Sequence, residues 1–281
     1  MLLPYLVGLI GLIGIPAAFT VGMSMFEYDL VRSPVFVGLA NFGELVGDRI
    51  FQGALLSSIA FVLIAVPLRL LGALGLGLLL HKPMRGAGLY RAAVYLPTVV
   101  PEIAYALIWV WLLNPLYGPI NITLGALGLP TPGWLTDPVA ARWGVVLLSL
   151  FIIGEGVLVA IAARRLIPGE LYEMAATERA GPFATFRHIT LPLMAPVLLL
   201  LAARDVVFSL QITFVPAAVI FDGGPPPNAT TYLPLFIYRN GFEYLRYGYA
   251  AAATVVLLAA TLATIAIQYR VARRWTDAAL R

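Results

Sequence analysis

The chain has 281 residues, 61% of them hydrophobic and 11% charged, with a mean hydropathy of +0.92, whereas a soluble globular domain carries about a quarter charged residues. Water is therefore not the solvent for most of its surface. It has no cysteine and only two histidines, His81 and His188, which excludes disulfides, thiolate metal sites and a typical histidine metal cluster, and its formal charge of +4 is informative through its distribution along membrane-spanning segments, not as a nucleic-acid patch.

Apolar runs of about 20 residues, enough to cross about 30 Å of hydrocarbon, predict six transmembrane helices. The first covers 2–26; it has no basic leader and is too long for the apolar core of a signal peptide, so it is read as a retained helix. The others cover 54–80, 92–113, 139–163, 192–220 and 247–269. Eleven basic residues fall on one side of these spans: Lys82, Arg85, Arg91, Arg164, Arg165, Arg179, Arg187, Arg270, Arg273, Arg274 and Arg281. Five fall on the other: Arg32, Arg49, Arg142, Arg239 and Arg246. The positive-inside rule makes the first set cytoplasmic, together with both termini and the segments 81–91 and 164–190. The loops 27–52, 114–138 and 221–246 are then external. Their Pro, Gly and Asn content, as in Asn114-Pro115 and Asp222-Gly-Gly-Pro-Pro-Pro-Asn228, favours tight turns over an outer domain, so residues 1–281 read as one all-α transmembrane domain.

The cytoplasmic segment of about 164–191 carries the most local information. Pro168-Gly169 turns the chain out of the fourth span, and 170–180 holds good helix formers with carboxylates in the first turn, where the helix dipole favours them. Gly181-Pro182 is expected to end that helix. Ala175, Ala176 and Ala180 leave a slim face that allows close approach of a partner, and Tyr172, Met174 and Phe183 are anchors of the kind enriched at interfaces. From these residues alone, a docking element and an amphipathic connector lying on the membrane surface both fit.

Five charges fall within spans, where ionisable residues are functional candidates because of their cost: Arg69, Glu102, Glu155, Arg204 and Asp205. Arg69 lies toward the cytoplasmic half of its span and is expected to snorkel or pair. Glu102, after Pro97 and Pro101, reads as an ion-pair or helix-start residue. Glu155 sits between Gly154 and Gly156, which leave room for an approaching group. Asp205, Phe208, Ser209 and Ile212 follow one another at i, i+3, i+4 and i+7 and share one helical stripe. A carboxylate, a hydroxyl and an aromatic ring on one stripe suit a sugar; a polar clamp between helices, with Arg204 held by Asp205 or Glu155, is the structural alternative.

The cytoplasmic segment resembles the EAA coupling loop of ABC importer permeases, whose pattern runs Glu-Ala-Ala, a Gly six residues after the Glu, and Ile-x-Leu-Pro. Glu173, Ile189, Leu191 and Pro192 have that spacing. Met174 stands at the first Ala, Glu178 at a usual Asp and Arg179 at the Gly, with Gly181 two residues later, while Ala180-Gly-Pro-Phe183 resembles the maltose-type subfamily. Phe36-Val-Gly-Leu-Ala-Asn-Phe42, Leu96-Pro-Thr-Val-Val-Pro101, Trp109, Tyr117-Gly118 and Gly223-Gly-Pro225 resemble carbohydrate permeases in kind and order.

The resemblance implies the type I importer fold of a larger-type sugar permease subunit in a six-helix form. It implies a multi-pass protein of a bacterial or archaeal cytoplasmic membrane, paired with a second permease, two ATPase subunits and an external binding protein. ATP and Mg would be used by the ATPases, with no cofactor, metal or catalytic residue on this chain. It assigns ATPase coupling to Tyr172, Glu173, Met174, Ala175, Ala176, Ala180 and Gly181, and cargo contacts to Glu155, Asp205, Phe208, Ser209 and Ile212.

Two other classes compete. A membrane enzyme would carry a catalytic cluster, yet His-Glu-x-x-His, Gly-x-Ser-x-Gly and the phosphate-binding loop are all missing from the sequence. A secondary transporter or channel would use Glu155 and Asp205 as proton or cation sites. Within the importer reading, Arg204 raises the alternative of an anionic cargo such as glycerol phosphate.

Overall fold

The computed structural model describes residues 3–225 and 228–279, with the backbone alone for 271–279. Pro226 and Pro227 of the predicted outer turn and Arg281 of the basic set lie outside the described residues, as do the side chains of Arg273 and Arg274. The uncharged N-terminal run folds as helix α1 (Leu3–Met23), whose side chains are exposed nearly all round, as befits a helix apolar on every face. A short antiparallel ribbon, β1 (Phe26–Glu27) with β2 (Val35–Phe36), pairs Phe26 with Phe36, and helix α2 (Ala40–Gly47) follows. Tight turns thus fill the segment between the first two spans.

Asp48 starts helix α3 (Arg49–Leu80) by accepting from the backbone N–H of Ile50 at 2.7 Å and of Phe51 at 3.3 Å, the usual N-cap geometry. This span begins five residues before the expected apolar run. At 32 residues it is about 48 Å long and reaches past the hydrocarbon.

The third and fourth spans depart from the expectation of straight helices. Helix α4 (Ala87–Val99), 3-10 in its last turn, is followed by helix α5 (Glu102–Leu112) at a bend of 101°. Pro101 has no N–H to donate, and it pushes Val100 out of the helical region to ψ 131°, so the hydrogen-bond ladder stops there. Beyond the short helix α6 (Pro119–Ala126), helix α7 (Pro138–Ser149) meets helix α8 (Gly154–Arg165) at 47°. The two breaks pack together: a Cβ on Gly154 would fall 2.7 Å from Tyr95 Cα, and the Tyr105 hydroxyl donates to the Leu148 carbonyl at 2.6 Å.

Helix α9 (Gly169–Thr177) leads to a 39-residue helix, α10 (Pro182–Ile220), interrupted by π turns at Phe186–Thr190 and Pro216–Ile220. Helices α11 (Leu233–Tyr238) and α12 (Tyr247–Ala279) complete the chain. Helices α1, α3 and α10 and the Tyr247–Arg270 part of α12 are long and apolar enough to cross a membrane; with each bent pair taken as one span there are six. Helices α3 and α8 cross closely, with Ala73 and Gly77 facing Gly156 and Ala160. A Cβ on Gly77 would lie 2.6 Å from Ala160 Cβ. Small residues four apart on both helices allow this approach, the usual solution where lipid offers no hydrophobic drive. A core of Phe61, Tyr105, Trp109, Leu148, Ile212 and Tyr232 joins α3, α5, α7 and α10 above that seam.

Candidate functional site

The breaks in the third and fourth spans open a cavity of about 120 Å³ against α10. Its walls include Pro97 and Thr98 from the end of α4, Glu102 and Tyr105 from α5, Glu155 from α8, and Arg204, Phe208 and Ile212 from α10. Arg204 donates to the Glu155 carboxylate, and both side chains are half exposed, at 50% and 49%. The Arg204 guanidinium also lies 5.4 Å from the Phe208 ring centroid. An ion pair, a ring face and a second carboxylate therefore face one space at membrane depth, where a polar molecule would find hydrogen-bond partners and its apolar edges would find Phe208 and Ile212.

The five expected cargo residues divide into two groups. Glu155, Phe208 and Ile212 line this cavity, whereas Asp205 and Ser209 turn away from it toward α3. Asp205 accepts from Arg69 Nε at 3.1 Å, Arg69 also donates to the Ser209 hydroxyl, and Ser209 donates to the Asp205 carbonyl at 2.6 Å. The Arg69 side chain is 3% exposed and lies between the rings of Phe61 and Phe208, at 5.9 and 5.6 Å from their centroids. Asp205 and Ser209 line no part of this cavity; Asp205 instead borders a smaller neighbouring hollow with Arg69 and Arg204. At about 100° per residue, a stripe of i, i+3, i+4 and i+7 is about 100° wide, and here its two edges serve two neighbours. Arg69 pairs and does not snorkel. The clamp alternative also holds in a doubled form, with Arg204 on Glu155 and Asp205 on Arg69.

Glu102 is placed differently from its sequence reading. It does start helix α5, but the bend carries it into the cavity wall beside Tyr105. Pro97 and Pro101, four residues apart, were the signal for a bend that would bring it there.

The segment 164–191 forms a second candidate site. Helix α9 holds its inner face against the rest of the chain through Ala175, which is buried, and Tyr172, whose hydroxyl shares a hydrogen bond with Thr190 at 3.0 Å. The Arg164 guanidinium lies 3.8 Å from the Tyr172 ring centroid. Tyr172 and Ala175 thus face the rest of the chain. Glu173, Met174, Ala176, Ala180 and Gly181 are exposed, and so is Phe183. At the far end of α3, burial and then the field of Arg164 hold the His81 imidazole below its ordinary pKa.

Helix α9 ends at Thr177, ahead of the expected stop at Gly181-Pro182. Arg179 takes φ +54°, its N–H donates to Ala176 O at 3.0 Å, and the Ala180 N–H donates to Ala175 O at 2.8 Å. These are the two bonds of a Schellman cap, which favours glycine at the left-handed position. Arg179 thus supplies the turn that glycine supplies in the resembling pattern, at a conformational cost of about 1–2 kcal/mol.

A family model described as binding-protein-dependent transport system inner membrane component matches residues 70–277. The chain is 28% identical over 275 residues to the trehalose/maltose transport system permease protein MalF of Thermococcus litoralis, covering 97% of this chain and 92% of that one. It is 33% identical over 245 residues to the sn-glycerol-3-phosphate transport system permease protein UgpA of Yersinia pestis, covering 86% and 82%. Its fold matches a chain of the bacterial alginate ABC transporter, solved in complex with an alginate pentasaccharide-bound periplasmic protein, with a TM-score of 0.83 over 98% of this chain and 93% of that one at 23% identity.

Proposed function

The chain belongs to the family of binding-protein-dependent transport system inner membrane components, and on that premise we propose that it forms, with a second permease, the translocation path of an importer for a sugar, oligosaccharide or polyol. Its role as an ABC importer permease follows from the family. The cargo, the partners and the coupling residues are the further reading. The observation that carries this reading is helix α9, whose exposed Glu173, Met174 and Ala176 stand out from the end of α8 while Tyr172 and Ala175 fix it to the start of α10. A helix held on one face and bare on the other is a lever for a partner to move.

In this reading the bare face seats in a cytoplasmic ATPase subunit, both termini are cytoplasmic, and two ATPases use ATP and Mg while this chain carries no catalytic group. A loaded binding protein docks on the outer loops. ATPase closure moves α9, the motion passes along α10 to Arg204 and Phe208, and the paired permeases turn from inward-facing to outward-facing; hydrolysis resets them. The cavity of about 120 Å³ is smaller than the roughly 300–1,000 Å³ of a small-molecule site, which fits a path whose other wall belongs to the second permease. Glu155, Phe208 and Ile212 contact cargo directly, with Asp205 and Ser209 behind them. The maltose-system relative supports a carbohydrate. The secondary-transporter alternative would make Glu155 and Asp205 proton or cation sites, and the family match gives it no support.

Glu173→Ala, or Ala176→Trp on the bare face, is expected to leave the permease pair assembled while ATP hydrolysis no longer drives uptake into proteoliposomes. Coupled uptake at the unmodified level in both variants would remove α9 from the coupling role.

A further inference from the structure

We infer that Glu102 selects the cargo by charge, and that the cargo is an uncharged, hydroxyl-rich molecule. The inference rests on the permease reading above and specifies the chemistry of its cavity. One guanidinium and two carboxylates line this space, Arg204, Glu155 and Glu102, with the Arg69–Asp205 pair behind them. Arg204 is committed to Glu155 across α8 and α10, and Arg69 is committed to Asp205 across α3 and α10. Glu102 is the carboxylate left over. It is exposed in the cavity wall and makes no hydrogen bond or ion pair among the described residues.

A carboxylate accepts hydrogen bonds and donates none, so its natural complement at membrane depth is a group rich in donors. Sugar and polyol hydroxyls are such donors, and hydrogen bonds to a charged acceptor are the stronger kind. Phe208 and Ile212, on the facing wall, cover the C–H edges of the same molecule.

An anionic cargo meets the opposite situation. At an effective dielectric of about 20 and a separation of about 6 Å, a like charge beside Glu102 lowers affinity by about 100-fold. Arg204 offers no relief, because turning it toward an anion strips Glu155 of its partner and leaves a second carboxylate facing the cargo.

The test uses the complete importer complex in nanodiscs with its binding protein omitted, so that only the permease cavity discriminates. Saturation-transfer NMR measures the binding of methyl α-glucoside and of the corresponding methyl α-glucuronide, which share a ring and differ by a carboxylate. The glucuronide is expected to bind about 100-fold more weakly than the glucoside. Glu102→Gln, which keeps the size and removes the charge, should bring that ratio below about 10-fold, a change that a merely structural role for Glu102 would not produce. Equal affinities in the unmodified complex, an unchanged ratio in Glu102→Gln, or no signal from the glucoside would each overturn the inference. Failure of the permease reading is seen earlier and separately, as a chain that purifies without ATPase subunits.

Discussion

Asp205→Ala separates a structural clamp from a cargo contact. The Arg69 side chain is 3% exposed and has one carboxylate partner, Asp205 at 3.1 Å. Deleting that carboxylate leaves a buried guanidinium held by the Ser209 hydroxyl and two ring faces. Breaking one side of such a pair costs about 3–5 kcal/mol, whereas replacing both partners by apolar groups is often close to neutral. Heat stability of the detergent-solubilised complex, followed as the fraction still monodisperse after heating, is expected to fall by about 10 °C in Asp205→Ala, at about 2–4 °C per kcal/mol. The double variant Arg69→Met with Asp205→Ala should recover most of that loss. An Asp205→Ala protein that keeps its heat stability but no longer transports, with no recovery in the double variant, would refute the clamp and return Asp205 to the cargo.

Arg179→Gly relieves a left-handed arginine at φ +54° and should strengthen the end of α9 by about 1 kcal/mol, seen as slower amide hydrogen exchange at residues 175–180; faster exchange would mean that the Arg179 side chain supports the turn. Tyr172→Phe removes the hydroxyl that meets Thr190 at 3.0 Å while keeping the ring under Arg164. It should cost about 1 kcal/mol and raise the ATP hydrolysed per cargo molecule in proteoliposomes, whereas an unchanged ratio would remove this bond from the path between α9 and α10.

The spans were legible because hydrocarbon demands long apolar runs, and all six fall where the runs do. Their internal shape was only partly legible. Pro97 and Pro101 marked the 101° bend between α4 and α5, yet proline also sits inside α3 at Pro67 and inside α10 at Pro196 without ending either helix, as membrane helices in general tolerate. The site divided in the same way. Helical periodicity brought Asp205, Phe208, Ser209 and Ile212 to one stripe, but a single stripe carries no information about which edge faces Arg69 on a helix 136 residues earlier in the chain. Glu102 read as a helix start, which it is; its entry into the cavity depends on the angle between two helices. In the segment 164–191 Met174, Ala176 and Ala180 are exposed, while Ala175 is buried and Tyr172 is drawn inward by partners, Arg164 and Thr190, that lie on other helices.

The central claim is that the bare face of α9 joins this permease to an ATPase. The most direct measurement is purification of the solubilised chain from its native host, with mass spectrometry and an ATPase assay on what comes with it. The account predicts a second permease and a nucleotide-hydrolysing subunit, with the latter lost on Glu173→Ala combined with Ala176→Trp. A chain that purifies alone and still moves solute across liposomes would contradict it.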